Sequence, residues 1–365
     1  MTTEVARHSG KFYVWVSTAS RTRRSRDGNG GVQRAGLSVR VRTMSRMTGH
    51  EFTLTATGPF DFGATLRFVE DWPATSGLPS DGRTLRFAYC AEADWLPIGV
   101  TVTAAPGGVA VRTTRAAGPE IRGEVARILS LDVDGSGFAE IGESDPVLGE
   151  LQRRSPGLRP LCFWSPWEAA CWAVIVQRSS MFIASRIKQR IAERYGAMVD
   201  LDGRAYAAFP PPVSLVNADG LGLPEQKEEW LRGLARAALD GVLTTEHLRA
   251  LDPQEALAKL RALPGVGPFS AGLILIRGAG APDAFPGDEP RLFAILREAY
   301  GLPQDAPASA YRKVADAWRP YRSWASFLFR SSVYGAREAE RAGAAAGQTG
   351  KDVRASPSPG RRGSR

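Results

Sequence analysis

Two adjacent carboxylates, Asp288 and Glu289, follow Phe285-Pro-Gly and precede Pro290. A carboxylate held at a reacting centre can stabilise developing positive charge, or orient and deprotonate a water molecule. In a solvated loop the same pair does neither. Upstream, Leu263-Pro-Gly-Val-Gly267 separates two helical patterns. Asp252 reads as an N-cap, Pro253 as the first helical residue and Glu255 as a capping glutamate, opening a helix through Lys259 and Arg261. That helix must stop at Pro264. Gly265 and Gly267 can take positive φ, so the chain reverses and re-enters a helix at Pro268 whose apolar face is Phe269, Leu273 and Ile276. The glycines leave backbone N–H groups uncovered at a helix N-terminus, where a phosphate can be held without any side-chain charge. An ordinary connection between two core helices would look the same in so short a stretch.

Other chemistries are disfavoured by residue type. The three histidines, His8, His50 and His247, are scattered, which argues against a Ser-His-Asp hydrolase. Cys90, Cys162 and Cys171 lack CxxC spacing, so neither a disulfide framework nor a zinc or iron–sulfur site is expected. Asp132-Val-Asp134-Gly-Ser136-Gly137, with Glu143 at its end, satisfies a calcium-loop pattern. Its context points instead to an Asp/Gly-rich turn, because Ala139 is small and Gly142 and Pro146 spoil an exiting helix. The net charge of +9 suggests nucleic acid, but its distribution qualifies this: residues 1–46 carry 10 Lys/Arg against 2 Asp/Glu, residues 337–365 carry 7 against 3, and −3 is left for residues 47–336. Any DNA grip in the folded part must therefore be local. No apolar run approaches the ~20 residues of a membrane span, so a cytoplasmic protein without membrane contact is expected, nucleoid-associated if it grips DNA.

The elements that must position these residues fall into blocks. Residues 1–46 are Arg-, Ser- and Gly-rich and read as a disordered basic extension, with Met47 a candidate start. Residues 47–120 alternate apolar and polar residues between Gly/Pro breaks, giving an α+β N-terminal domain with a small antiparallel sheet. Residues 121–336 read as an all-α region, with helices expected over 124–131, 166–195, 224–240, 244–251, 253–262, 268–278, 291–300 and 309–334. Residues 337–365 read as a disordered basic tail.

These residues resemble the helix-hairpin-helix DNA glycosylases, specifically the 3-methyladenine DNA glycosylase II type. Besides the hairpin, Ser165 to Ser180 resembles the family's first helical-core segment with its Gln-containing turn, and Phe209-Pro-Pro-Pro, Gly220 to Ala235 and Trp318 to Trp324 follow in family order. The resemblance covers about residues 50–334. It implies a monofunctional enzyme of base-excision repair that flips a damaged, alkylated purine out of double-stranded DNA and hydrolyses its N-glycosidic bond, acting as a monomer. No cofactor is implied beyond at most a monovalent cation at the hairpin. Counting back from Leu292, the catalytic aspartate of the family falls on Glu289, with Asp288 as the alternative and loss of the chemistry as the third outcome. Where backbone-cleaving relatives carry a lysine, this chain has Phe269, which removes the amine nucleophile. Leu263, Gly265, Val266 and Gly267 of the hairpin, with Gln177, Arg178 and Ser180, become DNA-binding candidates, Arg178 standing where the family's wedge residue stands. Arg186, Lys188, Arg190 and Arg194 offer phosphate contacts or simply a solvated helix face. Arg330 aligns with a base-stacking Trp of relatives; Phe269, Trp324 and Phe329 are the other candidate pocket walls, although aromatic spacing in helices more often means core. A non-catalytic DNA-binding protein, or a glycosylase for an oxidised or deaminated base, are the competing readings.

Overall fold

The structure, a computed structural model, describes residues 49–72 and 81–332. The expected basic extension, Met47 and the basic tail lie outside the described residues. Four alternating segments form strands β1 (His50–Thr55), β2 (Thr84–Cys90), β3 (Pro97–Ala105) and β4 (Gly108–Thr113), in one antiparallel sheet ordered β1-β4-β3-β2. Helix α1 (Phe62–Asp71) is capped by Asp61, whose carboxylate accepts from the Gly63 amide at 2.8 Å. It packs Leu66 and Phe68 into a core shared with the helical region. Phe87 of β2 stacks on Trp164 at 4.1 Å, and Phe68 meets Phe327 edge-on at 4.9 Å. Because one apolar cluster runs across residue 120, sheet and helices bury each other's faces.

After α2 (Pro119–Ile128) come α3 (Ser136–Ser144) and α4 (Pro146–Arg154), where only an Asp/Gly turn is expected from the sequence. The acidic residues are consumed locally. Asp134 accepts from the Ser136 amide at 2.8 Å, Asp145 caps α4 through the Val147 and Leu148 amides, and Asp132 pairs with Arg249. Among the described residues no group of His, Cys, Asp and Glu is arranged to hold a metal.

Helix α5 (Pro166–Ile175) is buried along its whole length and forms the spine. The single helix expected over 166–195 is broken: Arg178 takes a left-handed φ of 53°, and Ser180 restarts the chain as N-cap of α6 (Met181–Tyr195). A hairpin of β5 (Ala197–Leu201) and β6 (Arg204–Ala208) then interrupts the region expected to be all-α. It lays Val199, Leu201 and Tyr206 against Ala88 and Cys90 of β2. Helices α7 (Pro212–Leu215), α8 (Glu225–Leu239), α9 (Thr245–Ala250), α10 (Pro253–Arg261) and α11 (Pro268–Leu273) follow, α11 running into a π turn at Ile274–Gly278. Gly278 allows that turn to lie on α5, since a Cβ there would sit 2.9 Å from Ala169 and 3.0 Å from Pro166. Helices α12 (Pro290–Tyr300), α13 (Ala308–Asp316) and α14 (322–332) build a second core around Leu292, Trp318 and Phe329. The helix expected over 309–334 is divided at Pro320, which has no N–H to continue it. No described helix is long and apolar enough to cross a membrane.

Candidate active site

A cleft of about 570 Å³ opens between α10–α11, the start of α6 and α14. Its walls include Phe68, Trp72, Phe163, Trp172, Phe269 and Phe327, and its polar groups include Glu289 and Arg330. A mostly apolar cavity of this size with a few convergent polar groups is the usual form of a ligand site.

Glu289 is the residue before α12, and its position is fixed by α14 from both sides. Asp283, at the other end of the same loop, accepts from Arg322 Nε at 2.9 Å, and the Ser323 hydroxyl donates to the Ala284 carbonyl at 2.8 Å and accepts from the Ala284 amide at 3.0 Å. Two turns on, Arg330 Nε meets Glu289 Oε1 at 2.5 Å, with Glu289's side chain only 14% exposed. Burial pushes the Glu289 carboxyl above its ordinary range, while Arg330, then Arg291 and Arg277, act in the opposite sense. Arg277, from the π turn, also lines the cleft. Its guanidinium lies over Trp72 at 4.3 Å and Phe327 at 4.9 Å, and its Nε donates to the Leu161 carbonyl at 2.8 Å. Asp288 turns outward to Arg261 of α10 at 3.1 Å, both half exposed, so it is a rim residue.

The hairpin flanks the cleft. Gly265 takes φ +73°, and a Cβ there would meet the Trp230 ring at 2.7 Å. Gly267 differs from the expected pair of positive-φ glycines: it is extended, at φ −87° and ψ −178°, and a Cβ on it would meet no protein atom within 4 Å. Positive φ is thus needed only once, and the second glycine faces open space at the start of α11. Gln177 Nε2 donates to the Gly265 carbonyl at 2.7 Å, tying the α5–α6 turn to the hairpin. Lys227 Nζ covers the end of α5 by donating to the Ile175 and Gln177 carbonyls, at 3.0 and 2.5 Å. This leaves Arg178 exposed at the tip of the turn, with Ser180 on the cleft rim.

The structure therefore brings Glu289, Asp288, Phe269, Arg330 and Ser180 to one cleft, with Gly265, Gly267, Gln177 and Arg178 beside it. Val266 is buried in the main core and Leu263 packs against it partly exposed, so both side chains help to hold the hairpin in place. Trp324 and Phe329 are not cleft walls. Both belong to the second core, Trp324 against Phe138 at 5.5 Å and Phe329 on Trp318 at 5.3 Å. The aromatic of α14 that faces the cleft is Phe327, which the sequence reading missed together with Trp172, Phe163 and Arg277. A lone charge directly after the apolar run Leu273–Ile276 was the available signal for Arg277, since such a side chain must find partners to be buried.

No family model matches the chain. Curated relatives do. It is 27% identical over 209 residues to the DNA-3-methyladenine glycosylase of Bacillus subtilis (strain 168), covering 56% of this chain and 69% of that protein. It is 34% identical over 185 residues to DNA-3-methyladenine glycosylase 2 of Escherichia coli (strain K12), covering 49% and 62%. Among solved structures it matches a 3-methyladenine DNA glycosylase from Archaeoglobus fulgidus with a TM-score of 0.64 at 20% identity, over 76% of this chain and 96% of that one. An 8-oxoguanine glycosylase/lyase from Clostridium acetobutylicum matches with a TM-score of 0.52 at 20% identity, over 65% and 82%. The chain has the fold of these solved DNA glycosylases. In sequence it is similar to proteins named DNA-3-methyladenine glycosylases.

Proposed function

We propose that this protein is a base-excision-repair DNA glycosylase that flips an alkylated purine from duplex DNA into the cleft and hydrolyses its N-glycosidic bond. The carrying observation is the largely buried Glu289 carboxylate in the lining of an aromatic-walled cleft beside a helix-hairpin-helix. An alkylated purine is already a good leaving group, and its departure leaves oxocarbenium-like charge on the sugar. A fixed carboxylate facing that charge lowers the barrier and can also orient the attacking water. Phe269 and Trp172 offer faces for a flipped base, and stacking there offsets part of the cost of unstacking it from the duplex. Backbone N–H groups at the Gly267 end of the hairpin, with the exposed Arg178, hold the phosphates on either side. Phe269 stands where the resemblance puts the lysine of backbone-cleaving relatives, and the absence of that amine supports a reaction that ends at the abasic site without strand cleavage.

Abasic-site formation on methylated duplex DNA tests this with three proteins. Wild type and Asp288→Asn should release base, and Glu289→Gln should be slower by about 10²–10³-fold, the usual cost of removing one preorganised electrostatic group. Tight duplex binding by the wild type with no base released from alkylated, oxidised or deaminated DNA would show instead a binding protein on this scaffold.

A further inference from the structure

Glu289 stands at the N-cap position of α12 without capping it: its backbone is extended at φ −108° and ψ 98°, and no side-chain cap bond forms. Short side chains cap helices because their oxygen reaches the amides of the first turn. The extra methylene of glutamate adds a torsion, and no side-chain cap bond to the first turn of α12 fixes it. What restrains it comes from α14, where Arg330 Nε meets Oε1 at 2.5 Å. Arg330 shares a helical face with Ser323, which pins the start of the same loop through Ala284, so one rigid element fixes both ends of the segment that delivers the carboxylate.

We propose that Arg330 is the positioning residue for Glu289, holding its carboxylate in one orientation toward the cleft, and that it does not serve as a stacking surface for the base. This rests on the assignment of Glu289 as the catalytic carboxylate. The charged groups around Glu289 are Arg330 from α14, Arg291 from α12 and Arg277 from the π turn, with Asp288 next in sequence but paired outward to Arg261 of α10. Arg277 lies against the aromatic rings and the Leu161 carbonyl, while Arg330 Nε is in direct contact with the carboxylate at 2.5 Å. Pairing also changes how a base experiences Arg330. A guanidinium whose charge is matched at 2.5 Å repels a cationic alkylpurine far less than an unmatched one would.

The experiment combines a titration with a rate. The Glu289 carboxyl carbon is followed by carbon-13 NMR in glutamate-labelled protein, with Glu289→Gln identifying its signal, in the wild type, Arg330→Gln and Arg330→Lys. Base release from methylated duplex DNA is measured across pH in the same proteins and in Glu289→Gln/Arg330→Gln. Loss of the guanidinium leaves burial uncompensated, so in Arg330→Gln the carboxyl midpoint and the acid limb of the rate should both move up by about 1–2 pH units. The plateau rate should drop about 10–100-fold. Arg330→Lys should restore the midpoint more fully than the rate, since it keeps charge and loses the planar fork. In the Glu289→Gln background, Arg330→Gln should have no further effect on the rate. An unmoved carboxyl titration in Arg330→Gln overturns the proposal whether or not the protein is active. Full activity in Glu289→Gln overturns the assignment of the acid instead.

Discussion

At the scale of single residues, the choice of glutamate at 289 has consequences that run against the usual ranking of helix caps. An aspartate there would be short enough to bond the first-turn amides of α12, gaining about 1 kcal/mol from the cap together with a favourable helix-dipole contact. It would do so by leaving Arg330. Glu289→Asp is therefore expected to raise the melting temperature slightly while slowing base release by about 100-fold, the scale of loss for a group displaced by about 1 Å. Thermal denaturation and single-turnover assays on one preparation decide the matter, and a variant as fast as the wild type contradicts it. The same scale explains which residues could be found from sequence. The proposed acid was placed by its local neighbours, Phe285-Pro286 before it and Leu292 three residues after it. Its partner Arg330 could be aligned but not understood, because pairing across α12 and α14 is a tertiary fact. Phe327 was within reach: once Arg330 is taken to face the cleft, the 3.6-residue period puts Ser323, Ser326 and Phe327 on that face and sends Trp324, Leu328 and Phe329 to the other.

At the scale of elements, the two hairpin glycines separate stability from binding. Gly265→Ala forces a Cβ at φ +73° into the Trp230 ring, costing about 1–2 kcal/mol for the left-handed backbone before any clash is counted. It should lower stability and, by shifting the carbonyl that Gln177 holds, weaken DNA binding as well. Gly267→Ala meets no protein atom and should leave the melting temperature unchanged, yet its methyl group stands where a phosphate would approach the amides. Fluorescence anisotropy on duplex DNA is expected to show weaker binding for both variants. Unimpaired binding by Gly267→Ala would remove the hairpin from the phosphate-contact assignment. The pattern that announced this element, two helix signals around Pro-Gly-Val-Gly, was strong because proline and glycine act locally. The β5–β6 hairpin was passed over for a different reason. Asp202-Gly203, both at positive φ, is a strong two-residue turn signal flanked by alternating residues, but the long helical reading before it masked the change of period. The π turn had no sequence signal at all, since it depends on Gly278 meeting α5.

At the scale of the whole molecule, sheet and helices are locked by a buried charged cluster whose pairing makes stability depend on pH. Arg127 of α2 is fully buried and donates to the Phe163 carbonyl at 3.0 Å, the Trp164 carbonyl at 2.6 Å and the Gly278 carbonyl at 2.5 Å, joining α2 to the entry of α5 and the end of the π turn. It also faces Glu92, beyond β2, at 3.6 Å, and Glu92 in turn accepts from the Thr245 amide and hydroxyl at the start of α9. Glu124 accepts from the Glu92 amide at 2.9 Å, but one guanidinium cannot neutralise two carboxylates. Burial, followed by the neighbouring charge of Glu92, pushes the Glu124 carboxyl up from 4.5 to about 7. A group whose folded pKa is raised holds its proton more tightly when folded, so its contribution to stability is greatest below the unfolded pKa and declines as pH rises from 4.5 to about 7. That decline amounts to something on the order of 3 kcal/mol. Glu124→Gln keeps an oxygen for the Glu92 amide and removes the charge. Urea unfolding at pH 5 and pH 8 should show the wild type losing stability between the two and the variant losing less by about that amount, with the variant the more stable at pH 8. Equal losses in both proteins would mean that Glu124 stays ionised in the fold, and that the junction between sheet and helices is held by Arg127 and Glu92 without a proton.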